Sequence, residues 1–305
     1  MEGLPAYDVD ELKGTAPTTA VLHEVNQAHG TTYRLTGPLL GGFQSGAWLI
    51  TDASGSPAVL KWSPEHAWAA QIQRAARAVA TARRHGYPTP AWLAVGSTRA
   101  GHGYQVQEFA AGRPNPELTP EVAGAMIELV ERQMNLDPDP DRSWSTYLAD
   151  ELASSWASTT ATVRGSGPAG TALVDACSAL LAPFDTPAFP SSDLVHGDLR
   201  LGNVLFHLDR VSAVIDIEAL GSGTRVFDYA TLLDHEQADE QAVRLLVDAA
   251  SQAAGPGVLA FSLAHVVLDL AQFVHRRQLT ADDPSVCQRI RSLTTRTQLV
   301  RQMLS

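Results

Sequence analysis

A carboxylate- and amide-bearing cluster lies in the segment Val195–Phe206, which reads VHGDLRLGNVLF, and Asp216 follows Asn203 by thirteen residues. Phosphoryl transfer needs a carboxylate that orients the attacking hydroxyl, and Mg²⁺ ions held by hard oxygen ligands. Asp198 can supply the carboxylate, and Asn203 and Asp216 can supply the ligands. Turn formation and helix capping are the structural alternatives for the two aspartates. The ordered set favours phosphoryl transfer.

A retained lysine and a glycine loop point to the same chemistry. Lys13 and Lys61 are the only lysines among 22 basic residues. An ammonium group is a compact point charge that a planar guanidinium does not replace, so Lys61 is a candidate for a specific role. The predicted nucleotide-binding loop, whose backbone N–H groups could lie over phosphates, comprises Gly42, Phe43, Gln44, Ser45 and Gly46. An ordinary hairpin turn is the alternative for the loop.

The elements that must position these residues change in character along the chain. Thr31–Trp62 predicts strands, with a Gly/Ser/Pro turn at 52–57. A helix is predicted over Pro64–Arg84, and further strands over Ala91–Val95 and Tyr104–Phe109. The first third is therefore predicted to be an antiparallel sheet with one main helix.

Helices predominate after Gly112-Arg113-Pro114. Apolar spacing predicts helices over Glu121–Met134, Trp144–Thr160 and Gly170–Leu181, and again from Ala238 to the C-terminus. Between them, Asn203–Ile215 is predicted to form a strand-turn-strand hairpin. The whole pattern indicates an α+β fold.

The pattern HGDxxxxN followed by IDxE resembles the aminoglycoside phosphotransferase and choline kinase superfamily, which shares its fold with protein kinases. The resemblance runs from about Thr31 to the C-terminal helices and is most specific between Val195 and Leu232. It implies a bilobal protein-kinase-like fold. The expected N-lobe is 1–107, with the antiparallel sheet and main helix, and the expected C-lobe is 108–305 and mostly helical.

The resemblance also implies roles for the residues of the motif. Asp198 is expected to be the catalytic base or hydroxyl-orienting group, and Asn203 and Asp216 to bind Mg²⁺. His196 is expected to brace the catalytic loop, and Asp228 to be a structural aspartate. Arg200 occupies the position of a protein-kinase lysine that touches the transferring phosphate, so it is a catalytic candidate; a solvated loop residue is the equal alternative.

ATP is the phosphate donor that the resemblance implies, with GTP not excluded. Lys61 is expected to contact the α- and β-phosphates, and the backbone of Gln107 and Phe109 to contact the adenine. The family's helix glutamate, the usual partner of this lysine, is missing, because Gln71–Arg77 contains no acid. Glu65 and Gln71 are the alternative partners.

The acceptor of the phosphate is expected to lie against the C-lobe. Acidic residues there would suit a cationic molecule; the candidates are Glu218, Asp234, Glu236 and Asp269, with Asp239 and Glu240 as weaker ones. Solvated helix faces are the alternative for most of them. His265 is expected to be a packing or surface residue, and Trp144 or Trp156 to be core residues that could stack on an acceptor.

Composition excludes some partners. The formal net charge of −11 argues against nucleic acid, which needs a basic face. Neither a secretory signal nor an apolar run of the roughly 18–20 residues that span a bilayer is evident. The two cysteines, Cys177 and Cys287, have no metal-type spacing. The expectation is a cytoplasmic monomer or homodimer that does not bind a membrane.

These observations predict an ATP- and Mg²⁺-dependent O-phosphotransferase. The expected acceptor is a cationic antibiotic, either an aminoglycoside or a tuberactinomycin-type peptide such as viomycin or capreomycin, and phosphorylation would give antibiotic resistance. One alternative is a metabolic kinase of the same fold acting on choline, homoserine or a sugar. Another is a non-catalytic pseudokinase that binds nucleotide. A hydrolase is disfavoured, because the sequence has no G-x-S-x-G elbow and no metal-type His/Cys cluster.

Overall fold

The computed structural model describes residues 14–39, 46–276 and 284–305. The chain forms two compact units. Unit 1 comprises the described residues up to Arg84 together with Thr89–Ala111, and unit 2 comprises His85–Pro88 and the described residues from Gly112 onward. The antiparallel sheet in the N-terminal part and the helices in the C-terminal part confirm the predicted α+β fold class. The assignment of lobe functions to 1–107 and 108–305 stays a prediction.

Unit 1 contains two helices and a five-stranded antiparallel sheet in the order β1-β2-β3-β5-β4. The helices are α1 (Thr15–His29) and α2 (His66–Arg84). The strands are β1 (Arg34–Leu39), β2 (Ala47–Thr51), β3 (Pro57–Ser63), β4 (Trp92–Ser97) and β5 (Gly103–Glu108). The central strand β3 is buried at all but its first residue, as expected where both faces of a strand are covered.

Helix α1 was not predicted from the sequence, although a signal was present. Its buried residues are Thr18, Val21, Leu22 and Val25, which recur at helical spacing. They pack in the core of unit 1 with Trp62, whose indole N–H donates to Thr18 Oγ1 at 3.0 Å. The N-terminal region therefore contains one more helix than the sequence pattern predicts.

Helix α2 was predicted and lies close against the sheet. Its buried positions, from Ala69 and Ile72 to Ala82, are mostly alanines. A Cβ atom at Gly103 in β5 would lie 2.8 Å from the Cα atom of Ala69, so this approach requires glycine in the strand. Small residues on both elements thus set the distance between helix and sheet.

Unit 2 is mostly helical. Its helices are α3 (Pro120–Glu131), α4 (Trp144–Asp150), α5 (Trp156–Gly165), α6 (Pro168–Leu181), α7 (Val226–Leu233), α8 (Glu240–Ala254), α9 (Pro256–Arg276) and α10 (Pro284–Met303). A π-helical turn, Glu151–Ser155, joins α4 to α5. The predicted helix over Trp144–Thr160 is therefore two helices with a π-turn between them.

Two small sheets flank the catalytic-loop motif. The first has the order β6-β8-β9 and consists of Arg113–Pro114, Val204–His207 and Arg210–Val214. Strands β8 and β9 are the predicted hairpin. The second pairs β7 (Asp193–Val195) with β10 (Gly221–Gly223). This pair was not predicted, because three-residue strands carry too little alternation to be recognised.

Helix α7 was also missed, since the sequence reading placed the return of helices at Ala238. All eight of its residues are buried. A segment of only eight residues that is buried on every side cannot be assigned as a helix or a strand by periodicity alone. For this reason the sequence pattern does not reveal the helix.

Helix α9 is long and apolar. Among the described residues it is the one helix whose length and hydropathy would allow it to cross a membrane, with a mean hydropathy of 1.8 over Pro256–Val274. This helix therefore contradicts the expectation that no apolar run is as long as the roughly 18–20 residues that span a bilayer. However, 61% of the scored window is buried within the protein, which is typical of a core helix.

Candidate active site

The catalytic-loop motif begins where β7 ends and is anchored by Asp228 of α7. The carboxylate of Asp228 is fully buried and accepts hydrogen bonds from the backbone N–H groups of His196 and Gly197, at 2.7 and 2.9 Å, and from Gln133 Nε2 at 2.9 Å. Burial raises the pKa of Asp228, while these donors oppose that shift. The geometry fits the predicted structural role of Asp228 in holding the loop.

His196 joins the loop to the following hairpin. Its buried ring makes a 3.0 Å contact from Nε2 to the carbonyl oxygen of Ile215, and Nδ1 accepts the backbone N–H of Asp198 at 3.2 Å. Because Nδ1 accepts, the proton resides on Nε2, which donates to Ile215. The imidazole thus fixes the backbone of the predicted base against the strand that leads to Asp216, as a bracing residue should.

Gly197 has a backbone conformation that its neighbour enforces. Its φ is +86°, and a Cβ atom at this position would overlap the indole ring of Trp144. The indole N–H of Trp144 donates to the carbonyl oxygen of Ala219 at 3.1 Å, which fixes the ring. Glycine is therefore required here on two grounds, backbone conformation and space.

The Asp198 side chain is half-exposed and held at both carboxylate oxygens. Arg200 donates from Nε to Oδ1 at 2.6 Å, and Asn203 Nδ2 contacts Oδ2 at 3.3 Å and the backbone oxygen at 2.9 Å. An exposed carboxylate in a fixed orientation can accept a proton from a hydroxyl placed beside it. The loop therefore presents Asp198 in the manner its predicted role requires, although that role stays a prediction.

The residues predicted to bind Mg²⁺ fit a hard cation. Asn203 ends a 3₁₀ turn, Leu201–Asn203, and uses its amide nitrogen on Asp198, so its Oδ1 is the atom suited to a cation. Asp216 is exposed just beyond β9, with a φ of 61° that non-glycine residues adopt rarely and often at functional sites.

Within residues 14–39, 46–276 and 284–305, no group of three or more His, Cys, Asp or Glu could form a metal site. Mg²⁺ is typically bound by one or two protein ligands together with substrate phosphates, not by an all-protein cage. A two-residue set such as Asn203 and Asp216 is therefore the kind of site expected for Mg²⁺ that arrives with a nucleotide.

Lys61 lies in the central strand of unit 1. It is buried, with 6% of its surface exposed, and its cross-strand neighbours are Ala47 and Gln105. Of the two alternative partners from the sequence, Gln71 is partly buried on α2 and Glu65 is exposed just before that helix. A lysine that is buried in the middle of a sheet is unusual and fits a specific binding role better than a surface role.

Some of the predicted nucleotide contacts lie outside the described residues, namely Gly42, Phe43, Gln44 and Ser45. Gly46, the last residue of that loop, precedes β2 and is partly buried. Gln107 lies in β5 between β3 and β4, and Phe109 directly follows β5 with its side chain exposed. Their predicted contacts to adenine stay predictions.

The structure separates the four predicted acceptor residues into two groups. Asp234 and Glu218 are buried. Glu236 and Asp269 are exposed, and Glu236 lies 3.4 Å from Arg289. The Asp234 carboxylate, with 3% of its side chain exposed, is bound to Arg200 at 2.8 Å and lies 3.6 Å from Arg289. Asp234 therefore lies inside the protein, where an acceptor contact is not favoured.

Arg200 is engaged by two carboxylates, Asp198 and Asp234. Burial lowers the pKa of its guanidinium, but the two carboxylates outweigh burial and raise the pKa overall. The predicted contact of Arg200 with the transferring phosphate stays a prediction. The observed contacts show that Arg200 also holds the side chain of Asp198.

An aromatic cluster next to the loop was not identified from the sequence as a unit. Trp144 contacts Tyr147 and Phe227 with ring-centroid distances of 5.6 and 4.9 Å, and His265 lies 5.5 Å from Tyr147. Tyr147 is 41% exposed. The three-residue spacing of Trp144 and Tyr147 on one short helix indicates that these two rings are neighbours. Their partners, Phe227 on α7 and His265 on α9, come from distant parts of the chain and could not be predicted from spacing.

Carboxylates border this cluster. Asp269 lies one turn after His265 on α9, and Glu151 follows Tyr147 by the same spacing, which places each pair on one helix face. Burial lowers the pKa of His265, and the carboxylates of Asp269 and Glu151 oppose that shift. The cluster adjoins the catalytic loop through Trp144, whose indole ring packs against Gly197.

Solved structures of phosphotransferases resemble the chain. Aminoglycoside phosphotransferase APH(4)-Ia has a TM-score of 0.63 and 21% identity, with 92% of this chain and 99% of that chain covered. A ternary complex of a thermostable mutant of that protein with ADP and hygromycin B has a TM-score of 0.61 at 19% identity, with coverages of 91% and 98%. At such identities the likeness shows the fold, which is the predicted one.

A second kind of phosphotransferase has the same fold. Macrolide 2′-phosphotransferase MphH from Brachybacterium faecium has a TM-score of 0.62 and 17% identity, with 89% of this chain and 97% of that chain covered. No curated protein matches the chain by sequence.

A sequence profile of the APH phosphotransferase enzyme family matches residues 36–261. The matched region includes the strand lysine, the whole HGDxxxxN motif, Asp216 and Asp228. Because the match spans well over half of the 305 residues, the chain belongs to the APH phosphotransferase enzyme family, as the motif predicted.

Proposed function

We propose that this enzyme transfers the γ-phosphate of ATP to a hydroxyl group of a small cationic antibiotic and thereby confers resistance to it. The acceptor class is an aminoglycoside or a tuberactinomycin-type peptide such as viomycin or capreomycin. The observation that carries the proposal is the fixed, half-exposed Asp198 carboxylate, whose neighbour Gly197 packs against Trp144 of the aromatic cluster.

Asp198 orients the acceptor hydroxyl and takes its proton as the oxygen attacks. A bond forms between that oxygen and the γ-phosphorus, the bond from the γ-phosphorus to the β–γ bridging oxygen breaks, and ADP leaves. Most of the catalysis is positioning and electrostatic stabilisation, as in other phosphoryl transfers. His196, Gly197 and Asp228 keep the carboxylate in place through the contacts described above.

Asn203 and Asp216 would hold Mg²⁺, which neutralises charge on the phosphates when it is bound. Lys61 is assigned to the α- and β-phosphates, in line with its burial in the central strand and with the family's pattern. The backbone of the Gly42–Gly46 loop is assigned to the phosphates, and that of Gln107 and Phe109 to the adenine.

A cationic acceptor is favoured by the charges and rings beside the base. Tyr147 offers an exposed ring, and Asp269 and Glu151 offer carboxylates on the same surface. Cations bind both to aromatic faces and to carboxylates. The net charge of −11 adds a long-range attraction for positive molecules. Hygromycin B, the aminoglycoside bound in the solved complex of APH(4)-Ia, is consistent with this acceptor class.

The first experiment is a coupled ADP-release assay with Mg-ATP and a panel of aminoglycosides, viomycin-type peptides, choline, homoserine and sugars. Turnover is expected with a cationic antibiotic and should be lost when EDTA removes the metal. Turnover only with choline, homoserine or a sugar would instead assign the enzyme to the metabolic kinases. Nucleotide binding without turnover on any acceptor would favour a pseudokinase.

Replacement of the base tests the mechanism. Asp198→Asn should lower kcat by roughly 10²–10⁴-fold, the usual contribution of a positioned acid or base, while nucleotide binding is retained. The matched control is Asp209→Asn at the exposed hairpin turn, where φ is 57° and asparagine is well tolerated. Near-normal turnover of Asp198→Asn would show that Asp198 is not the base.

A further inference from the structure

A buried carboxylate lies behind the arginine that holds the base. Asp234 caps the C-terminal end of α7 with only 3% of its side chain exposed. Its Oδ2 atom forms an ion pair with Arg200 Nη1 at 2.8 Å, and its Oδ1 atom lies 3.6 Å from Nη2 of Arg289 on α10. Burial raises the pKa of Asp234, and the two arginines oppose that shift. A buried carboxylate is tolerated in a folded protein when charged partners compensate for the loss of its contacts with water.

Arg200 links this buried carboxylate to the base. Its Nε donates to Asp198 Oδ1 at 2.6 Å while Nη1 is bound to Asp234. The guanidinium group is planar and its N–H directions are fixed relative to one another. The ion pair at Nη1 therefore restrains the guanidinium plane, and with it the Nε–H group that donates to the Asp198 oxygen.

We propose that Asp234 is a positioning residue that acts through Arg200 to fix the Asp198 carboxylate, with Arg289 of the last helix holding Asp234. This role replaces the acceptor contact predicted for Asp234 from the sequence. The inference rests on the proposed function, because it takes Asp198 to be the base of the phosphoryl transfer.

A double-mutant cycle tests whether Asp234 acts through Arg200. Asp234→Asn should lower kcat by about 10- to 100-fold, with the KM for ATP changed less than about twofold, because only the orientation of the base is lost. In an Arg200→Gln background the same replacement should change kcat by less than about twofold, because the residue through which it acts is already gone. The full loss in both backgrounds would overturn the inference.

Controls separate positioning from stability. Asp175→Asn removes the carboxylate of an exposed ion pair, 2.8 Å from Arg164, and should leave kcat within about twofold. Thermal unfolding identifies any variant that is not folded at the assay temperature. If Asp234→Asn does not fold, Asp234→Glu keeps the charge and displaces the carboxylate by one methylene group. It should still lower kcat more than KM, and an unchanged kcat would refute the positioning role.

A second readout needs no acceptor. In the wild-type protein the Arg200 Nε–H group is held by Asp198, so its NMR signal should exchange slowly with water. Asp234→Asn should speed that exchange at least about tenfold, and an unchanged rate would overturn the inference. A silent acceptor panel would count against the proposed function alone, since the exchange measurement decides the Asp234–Arg200 coupling by itself.

Discussion

At the scale of single residues, the proposed chemistry depends on how the Asp198 carboxylate is held. Asp198 has Arg200 on one oxygen and Asn203 near the other, so the side chain has little freedom to rotate. Its backbone N–H is bound by His196, which in turn contacts the strand before Asp216. Hydrogen bonds therefore link Asp198, the proposed base, directly to Asn203 and, through His196, to the residue before Asp216.

Tyr147 provides a residue-scale prediction about the acceptor. Tyr147→Leu removes the exposed ring next to His265 and should raise the KM for a cationic acceptor by roughly 3- to 30-fold, the range of one cation–π contact. The KM for ATP should not change. Steady-state kinetics with each substrate varied in turn measures both values. Leu245→Ala on α8, also an exposed apolar side chain, is the control. Equal effects of the two variants would exclude Tyr147 from the acceptor surface.

At the scale of elements, unit 2 brings short pieces from distant parts of the chain to the catalytic loop. Helix α7 contributes Asp228, which binds the loop backbone, and α4 contributes Trp144, which packs on Gly197. The two-stranded pair β7–β10 brings Gly221 and Gly223 close to the same tryptophan. These close contacts leave the loop little room to shift, which suits catalysis by positioning.

Two glycines of the loop allow a matched test of this packing. Gly197→Ala should lower the free energy of unfolding by at least about 1–3 kcal/mol, the cost of a strained backbone, and more because Trp144 must move. It should also lower kcat, because the loop carries Asp198. Gly202→Ala is the control, since its φ is not positive and no atom lies within 4 Å of the added Cβ. Denaturant unfolding and kcat measure both effects, and similar values for the two variants would contradict the prediction.

At the scale of the whole molecule, each unit has its own buried core. In unit 1 the core lies between α1 and the sheet, and in unit 2 the apolar helix α9 packs against α6, α7 and α8. Helix α10 packs against α6 and carries Arg289 to Asp234, so the last helix is part of both the core and the site.

Cys177 allows the unfolding of unit 2 to be followed. It is fully buried on α6, and burial raises the pKa of its thiol to about 12, so the reactive thiolate is scarce in the folded protein. In a Cys287→Ser variant, Cys177 should react with a thiol reagent only through unfolding. Mg-nucleotide should slow the reaction, because a ligand that binds the folded state stabilises it. The Cys177→Ser variant, which retains Cys287, is the control, and rapid labelling of native Cys177 would contradict its burial.

The sequence by itself determined the family and the fold class, and it predicted a local set of candidate catalytic residues. The motif from His196 to Asn203, the hairpin after it and Asp216 are close in sequence, so their types and spacing suffice to predict the loop. The strand of Lys61 and helix α2 were also predictable, because alternation and helical spacing are local signals.

Only the tertiary structure decided how that set is held. Asp228 meets the loop across 32 residues, Asp234 and Arg289 meet behind Arg200, and Tyr147 meets His265 from another helix. Helix α7 is only eight residues long and buried on all sides, so periodicity alone does not distinguish it from a buried strand. Side chains that are far apart in sequence leave no local pattern when they pair, because packing in three dimensions brings them together. For that reason the sequence does not distinguish Asp234 from an acid on an exposed helix face, whereas in the folded protein it is buried and forms an ion pair with Arg200.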